Sequence, residues 1–420
     1  MLIRDTVHGD IELSRVETAV LDSAAVQRLR GIKQLGTAYL VYPGAVHSRF
    51  EHSLGTCATA HRLIGGLRRN GVDVSAEAEA AVGVAALLHD VTHVPFGHTL
   101  EDERRLFPRH DKGDRLPRLL AGELGATLAS LGMRQPVADV LDASLPAGER
   151  WMTDIVSSTI DADLLDYLRR DSLYTGLAQS YDDRVFRYFA VSDGRLVLDM
   201  SKHGMTRPDA WSEIVQLLRM RYFLTERVYY HHTKVVAGAM ISKAVEMALA
   251  AGELTEPALL ELDDASLLWG LRQSAVPEIR ALDDRLRRRR LLKRGYVVSS
   301  RSLPAGDRQR LIDLYHHSPR TRAAAEGELA REIGADPHEV IVYCPGATMM
   351  KEAAALALTP AGIVPMTEID AGGASEIAAL ATRHADLWRM YVFVSEEFVQ
   401  RTALVAADLL GAASEHHPRH

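Results

Sequence analysis

The chain has 420 residues, enough to bury a large core and to build two or three structural units. Its 47% hydrophobic and 25% charged residues are those of a globular chain, and 56 acidic against 49 basic residues, a formal charge of -7, argue against a general nucleic-acid coat. Cys57 and Cys344 are too few for a disulfide framework or a thiolate zinc site, the amino terminus lacks a signal-peptide stretch, and no apolar run spans a bilayer, so a cytoplasmic protein without a membrane partner is expected.

The opening IRDTVHGDIELS predicts a strand or hairpin. From there to about residue 180, apolar-periodic helices alternate with short turns. YDDRVFRYFAVSDGRLVLD, with a turn at Ser192 to Gly194, predicts a hairpin that divides this half from the rest. Residues 209–250 resume helical periodicity as one long helix or two in sequence. Beyond the basic stretch Arg285 to Arg294, the runs VIVYCPGA, GIVPMTEI and RMYVFVS alternate with Ala-rich segments and predict a small α/β lobe. The expected fold class is mainly α, with a catalytic helical core over 1–250, an accessory helical and α/β region over 251–410, and a disordered tail over 411–420 whose histidines could bind metal adventitiously.

The chemistry concentrates in three segments of the first half. SRFEHSLG carries His52, AALLHDVTHVPFGH carries a buried run, Ala81 to Leu88, that delivers His89 and Asp90 at its polar end, and STIDADLLDYLRRD carries Asp163. Two imidazoles and two carboxylates converging from three helices make a hard ligand set for a divalent ion and point to phosphoester hydrolysis. A lone histidine in a helix is more often a core or surface group. The combination decides otherwise: the His-Asp pair is followed by His93 and His98, preceded by RFEH, and followed by an acidic helix. In that helix Asp163 shares a face with Tyr167, Arg170 and Asp171, whereas Asp161 suits a helix start and Asp166 an ion pair with Arg170.

QRLRGIKQLG at 27–36, YPGAVHSRFEHSLG at 42–55, LLHDVTHVPFGH at 87–98 and IDADLLDYLRRD at 160–171 together resemble the HD-domain phosphohydrolases, in the branch of SAM and HD domain-containing deoxynucleoside triphosphate triphosphohydrolases and their bacterial relatives. The resemblance covers roughly residues 1–240, without a SAM domain ahead of the core. It implies an HD-domain helical core, His52, His89, Asp90 and Asp163 as metal ligands, and His93, His98 and His110 lining the reacting phosphate, with His98 as general acid. Gln34, Leu35, Arg49, Tyr167, Asp171, Arg221 and Tyr229 match positions that hold phosphate, deoxyribose and base. The implied cofactor is a divalent transition metal (iron, manganese, cobalt, nickel or zinc), with magnesium as an addition. The implied partners are a small-molecule nucleotide substrate and further copies of the chain, in a dimer or tetramer.

Departures from that pattern carry expectations of their own. Leu164 stands where the mammalian enzyme has a phosphate-binding lysine, Thr225 replaces a histidine, and Glu101 replaces an aspartate. Loss of one cation removes a contact worth roughly 1.5–3 kcal/mol unless Lys234 or Arg170 takes its place. The run RLRRRR at 285–290 suggests a solvated helix face paired with Asp283 and Asp284 more than a nucleic-acid site. The sequence therefore points to hydrolysis of dNTPs to deoxynucleoside and triphosphate. The alternatives are a phosphatase on nucleoside monophosphates or another phosphomonoester, and a non-catalytic nucleotide-sensing or nucleic-acid-binding protein.

Overall fold

Helices begin where the sequence supplies caps. Ser48 and Glu51 form a capping box on the helix Arg49–Arg69, Ser75 caps Ala76–Leu88, and Asp161 caps Ala162–Thr175, which stops at Gly176 in the left-handed region (φ 70). These three helices pack on one another at the centre of the first of three apolar clusters, around Leu54, Leu63, Leu87, Leu165 and Leu168. The computed structural model describes residues 1–304, 306–347, 349–369 and 374–416.

The opening segment is a hairpin, with Ile3 opposite Ile11 and Asp5 opposite Gly9. Its turn is tied by Asp5 Oδ1, which accepts from the backbone N–H of Val7 (2.9 Å) and His8 (2.8 Å), so both Asp5 and His8 are fixed against the helical core. Residues 209–250 form two helices, Pro208–Leu224 and His232–Ala250, separated by a wide turn over Thr225–Tyr229. The strands Phe189–Ser192 and Arg195–Asp199 form the expected hairpin about Ser192 to Gly194.

That hairpin does not divide the molecule. Arg195–Asp199 pairs in parallel with Leu356–Thr359, which pairs with Gly362–Pro365, giving a four-stranded sheet drawn from both halves of the chain. GIVP therefore belongs to this sheet and not to a carboxy-terminal lobe. The lobe sheet instead has Arg389–Val394 at its centre, flanked antiparallel by Lys293–Ser299 and Val340–Tyr343. Its alternation serves two cores: Val297, Ile341, Tyr391 and Phe393 face the helix His232–Ala250, while Tyr296, Val298, Val342 and Val392 face the helices Pro319–Ile333 and Val399–Leu410. The boundary drawn at residue 250 is also crossed by Met350, Ala353, Met366, Ile377 and Leu380, which pack into the first cluster. No helix among the described residues is long and apolar enough to cross a membrane.

The chain stays attached beyond Gly411, where a disordered tail was expected. The Tyr296 hydroxyl donates to the Ala412 carbonyl (2.9 Å), and Glu415 both donates its N–H to the Val297 carbonyl (2.8 Å) and accepts from Ser299. Residues 417–420 of that tail lie outside the described residues. The arginine run is engaged internally: Arg285 pairs with Glu339, Arg287 and Arg288 with Asp284, and Arg289 donates to the Leu40 carbonyl.

The lobe is joined to the catalytic half by a buried ionic cluster. Arg104 pairs with Glu326 (2.7 Å) and Glu246 (2.5 Å), and Lys243 reaches Glu326 (2.6 Å). Burial raises the Glu326 pKa, but Arg104 and Lys243 outweigh it and bring it down to about 2. The stability this carboxylate contributes is complete above its ordinary value of 4.5 and is lost as pH falls through about 2. Glu326→Ala leaves Arg104 without its main partner; in urea unfolding at pH 7 it should cost about 3–5 kcal/mol, and the acid slope in that window should weaken.

Candidate metal centre and adjoining cavity

Nε2 of His52 and Nε2 of His89 stand 3.2 Å apart, and Oδ1 of Asp163 lies 2.9 Å from the first and 3.8 Å from the second. Asp90 closes the group, with Oδ1 3.6 Å from His89 Nε2 and Oδ2 3.8 Å from His52 Nε2. Donors bound near 2.1 Å to one ion stand about 3 Å apart, so the spacing suits a single divalent ion. The tautomers agree. His52 donates its Nδ1 proton to Asp166 Oδ2 (2.7 Å) and His89 donates its own to the Ala86 carbonyl (2.7 Å), which leaves both Nε2 lone pairs turned inward. Burial opposes charge on His52, but Asp163 and Asp166 outweigh it and raise its pKa to about 10.

A second layer holds these ligands. Asp166 accepts from His52, from His8 Nε2 (2.6 Å) and from Nε and Nη2 of Arg170 (both 2.9 Å), and Arg170 reaches on to Asp5 Oδ2 (2.9 Å). Gly55 makes this possible, because a Cβ there would lie 1.9 Å from Asp166 Oδ1 and 2.3 Å from Arg170 Nη2. Asp166 is thus the ion-pairing acid that its spacing suggested, and it also orients a ligand. Asp161 is the helix-start acid, accepting from the N–H of Leu164 (2.8 Å) and Ser158 (2.6 Å). On the other side Arg49 pairs with Asp90 Oδ2 (2.5 Å) and His93 Nδ1 lies 3.0 Å from Asp90 Oδ1. Burial would raise the Asp90 pKa, yet Arg49 and its histidine neighbours hold it well below the usual carboxylate range.

The three further histidines form one cluster around Glu101. His93 and His110 stack with ring centroids 3.7 Å apart, His98 meets His93 edge-on at 4.8 Å, and Glu101 Oε2 lies 3.4 Å from Nδ1 of both His98 and His110. Arg115 fixes the other Glu101 oxygen (2.6 Å). Burial, followed by Arg49 and His110, pushes His93 well below its ordinary pKa; burial also lowers His110, with His98 adding to it. Both rings are neutral near pH 7. His98 alone of the three is substantially exposed, at 44% of its side chain.

All of this faces a cavity of about 930 Å³. Gln34, Leu35, Arg49, Tyr167, Asp171, Arg221 and Tyr229, the candidate substrate residues, all line it, together with His89, Asp90, His98, His110 and Asp163; His52 and His93 sit behind its wall. Asp171 accepts from His47 Nε2 (2.8 Å) and from the Tyr229 hydroxyl (2.6 Å), and the Arg221 guanidinium lies over the rings of Tyr167 (5.4 Å) and Tyr229 (5.1 Å). Leu164 is buried in the first apolar cluster, outside the cavity lining, and Arg170 is fully engaged behind the metal centre. Lys234 does line the cavity, as do Lys112, Arg109 and Lys351. Sequence reasoning missed His8, Asp5 and His47, whose partners are more than 100 residues away, and the wall of Tyr343, Pro345, Lys351, Glu352 and His384 supplied by the carboxy-terminal region.

Residues 49–171 match the family model for the HD domain, and residues 182–419 match the model for the HD associated region. An uncharacterized protein of Methanocaldococcus jannaschii is 35% identical over 70% of this chain and 58% of its own length. The mouse deoxynucleoside triphosphate triphosphohydrolase SAMHD1 is 29% identical over 58% of this chain and 43% of its own. The chain spans about half the length of the curated relatives it matches. Among solved structures, a phosphohydrolase from Bacteroides thetaiotaomicron superposes with a TM-score of 0.73 at 23% identity, covering 94% of this chain and 100% of that one, and shows the same fold.

Asp166→Asn keeps the shape of this carboxylate but weakens its hold on His52 Nδ1. Metal affinity, read by chelator competition, should fall about 10–100-fold, whereas Asp139→Asn, an exposed surface change, should leave it unaltered.

Proposed function

Since this chain belongs to the HD-domain family, with both the HD domain and its associated region, we propose that it is a metal-dependent phosphohydrolase that cleaves dNTPs to deoxynucleoside and inorganic triphosphate. The observation that carries this reading is one cavity whose lining brings together His89, Asp90 and Asp163, the imidazoles His98 and His110, and the polar side chains Gln34, Arg49, Tyr167, Asp171, Arg221 and Tyr229, with His52 and His93 behind it. Two imidazoles and two carboxylates suit iron, manganese, cobalt, nickel or zinc. Such an ion supplies Lewis acidity toward a phosphoryl oxygen and lowers the pKa of water.

The residues divide the remaining work. Water attacks the α-phosphorus, a P–O bond forms, and the bond to the 5'-oxygen breaks, leaving triphosphate and an oxygen that must gain a proton. With His93 and His110 held neutral behind or beside it, the exposed His98 is the imidazole placed to deliver that proton. Arg221, paired with Glu352 (3.1 Å) and lying over the Tyr167 and Tyr229 rings, and Arg49 offer guanidinium donors to phosphate oxygens. Asp171 retains acceptor capacity beyond His47 and Tyr229 and takes the 3'-hydroxyl. Leu35, buried beside Tyr229 in the same wall, leaves little room for a 2'-hydroxyl.

A phosphatase acting on a shorter phosphate chain is the second reading, favoured by Leu164 being core and not cavity. Lys112 and Lys351 in the lining offset that loss and support the longer chain. Metal-loaded protein should release triphosphate and deoxynucleoside in equal amounts from a dNTP, by mass identification of products. His98→Ala should lower kcat about 10²–10⁴-fold with metal content unchanged, and Asp163→Ala should abolish both. Release of orthophosphate alone would sink the triphosphohydrolase reading.

A further inference from the structure

One stretch of the cavity wall has no part in the phosphate chemistry. Glu103 ends the wide helical turn Thr99–Glu103, is 8% exposed, and has Oε2 buried without a hydrogen-bond partner. It lies directly on the helix His232–Ala250 at Gly238, where a Cβ would stand 2.3 Å from Oε1. One turn earlier on that helix, Lys234 lines the same cavity within electrostatic reach of Glu103, Asp102 and the sugar-binding candidate Asp171. Among the described residues, neither the Glu103 carboxyl nor the Lys234 ammonium forms a hydrogen bond or ion pair, even with the other.

Two such groups in one buried wall, attracted but not touching, are an arrangement that a third group completes. Native interiors seldom leave a carboxyl and an ammonium unsatisfied. Burial pushes Glu103 up to about 8, only partly countered by Lys234, and burial likewise lowers Lys234 from its ordinary value, so burial opposes the charge of both.

We propose that Glu103 and Lys234 read the base of the bound nucleotide and select guanine, Glu103 accepting from N1–H and the N2 amino group while Lys234 donates to O6. This rests on the nucleotide reading above. A carboxylate takes two parallel N–H donors and an ammonium takes an adjacent carbonyl, and guanine alone of the four bases sets those three groups along one edge. Adenine and cytosine offer an amino group beside a bare ring nitrogen, and thymine offers one N–H between two carbonyls. Reading a base by its pairing edge in a closed pocket is a common device of proteins that take a nucleotide out of solution or out of a stack. Tyr230 and Tyr343, in the same lining, supply flat surface for the ring.

The test uses full-length, metal-loaded His98→Ala protein, so that binding is read without turnover, with dGTP, dATP, dCTP and dTTP titrated separately by calorimetry. dGTP should bind at least about tenfold more tightly than the others. Glu103→Gln and, separately, Lys234→Met, each checked for an unchanged thermal transition, should bring dGTP to the affinity of the other three and leave those three unchanged. Equal binding of all four, or an equal loss for all four in both variants, overturns the inference and leaves the nucleotide reading in place. Binding of none defeats both. Selective binding of dGTP by a protein that releases no triphosphate supports the inference while refuting the proposed reaction.

Discussion

The carboxylate of Asp166 is the constraint on which the rest of the site depends. One fully buried side chain accepts from His52, His8 and Arg170, and so joins the opening hairpin, the helix Arg49–Arg69 and the helix Ala162–Thr175. Burial disfavours its charge, yet Arg170 and the two imidazoles hold its pKa well below the usual range. A buried anion with this many donors is stable only if all of them are in place. The ligand geometry of His52 is therefore a property of the packing of three segments and not of the ring's own helix.

Charge is distributed in two zones that share a boundary. On one side the quartet concentrates negative charge and draws a cation or proton. On the other, His93 and His110 are neutral and stacked, and hydrogen bonds from His110 and His98 hold Glu101 ionised against the cost of burial. Arg49 stands between them: it neutralises Asp90 while its charge suppresses protonation of His93. Gly97, at φ 54, admits that guanidinium, since a Cβ there would lie 2.4 Å from Nη2.

Much of this was legible in the sequence because it is local. The helix start at Asp161, the apolar run before His89, and the face shared by Asp163, Tyr167 and Asp171 are all patterns over a few residues, and each locates a helix or a candidate ligand. What sequence could not supply is pairing across distance. Gly362–Pro365 reads as a strand, but nothing in it names Leu356–Thr359, still less the distant Arg195–Asp199, as its sheet. His8 and Asp5 look like turn residues, and they are; their second role appears only when Asp166 and Arg170 are brought to them. Leu164 drew attention as a missing cation, whereas one helical step rotates it from the cavity into the core.

The parallel pairing of Arg195–Asp199 with Leu356–Thr359 has a consequence for the order in which the molecule comes into being. Every residue of the ligand quartet is synthesised by Asp163, and its supporting carboxylate and arginine follow within seven residues. The wall formed by Tyr343, Lys351, Glu352 and His384 leaves the ribosome on the order of ten seconds or more later, at ordinary rates of chain growth. During that interval the nascent chain carries a complete set of ligands opening directly onto solvent, with the half-built sheet presenting an unpaired edge beside it. The candidate ligands and that edge are thus open over the same interval, and the late segments end both exposures together.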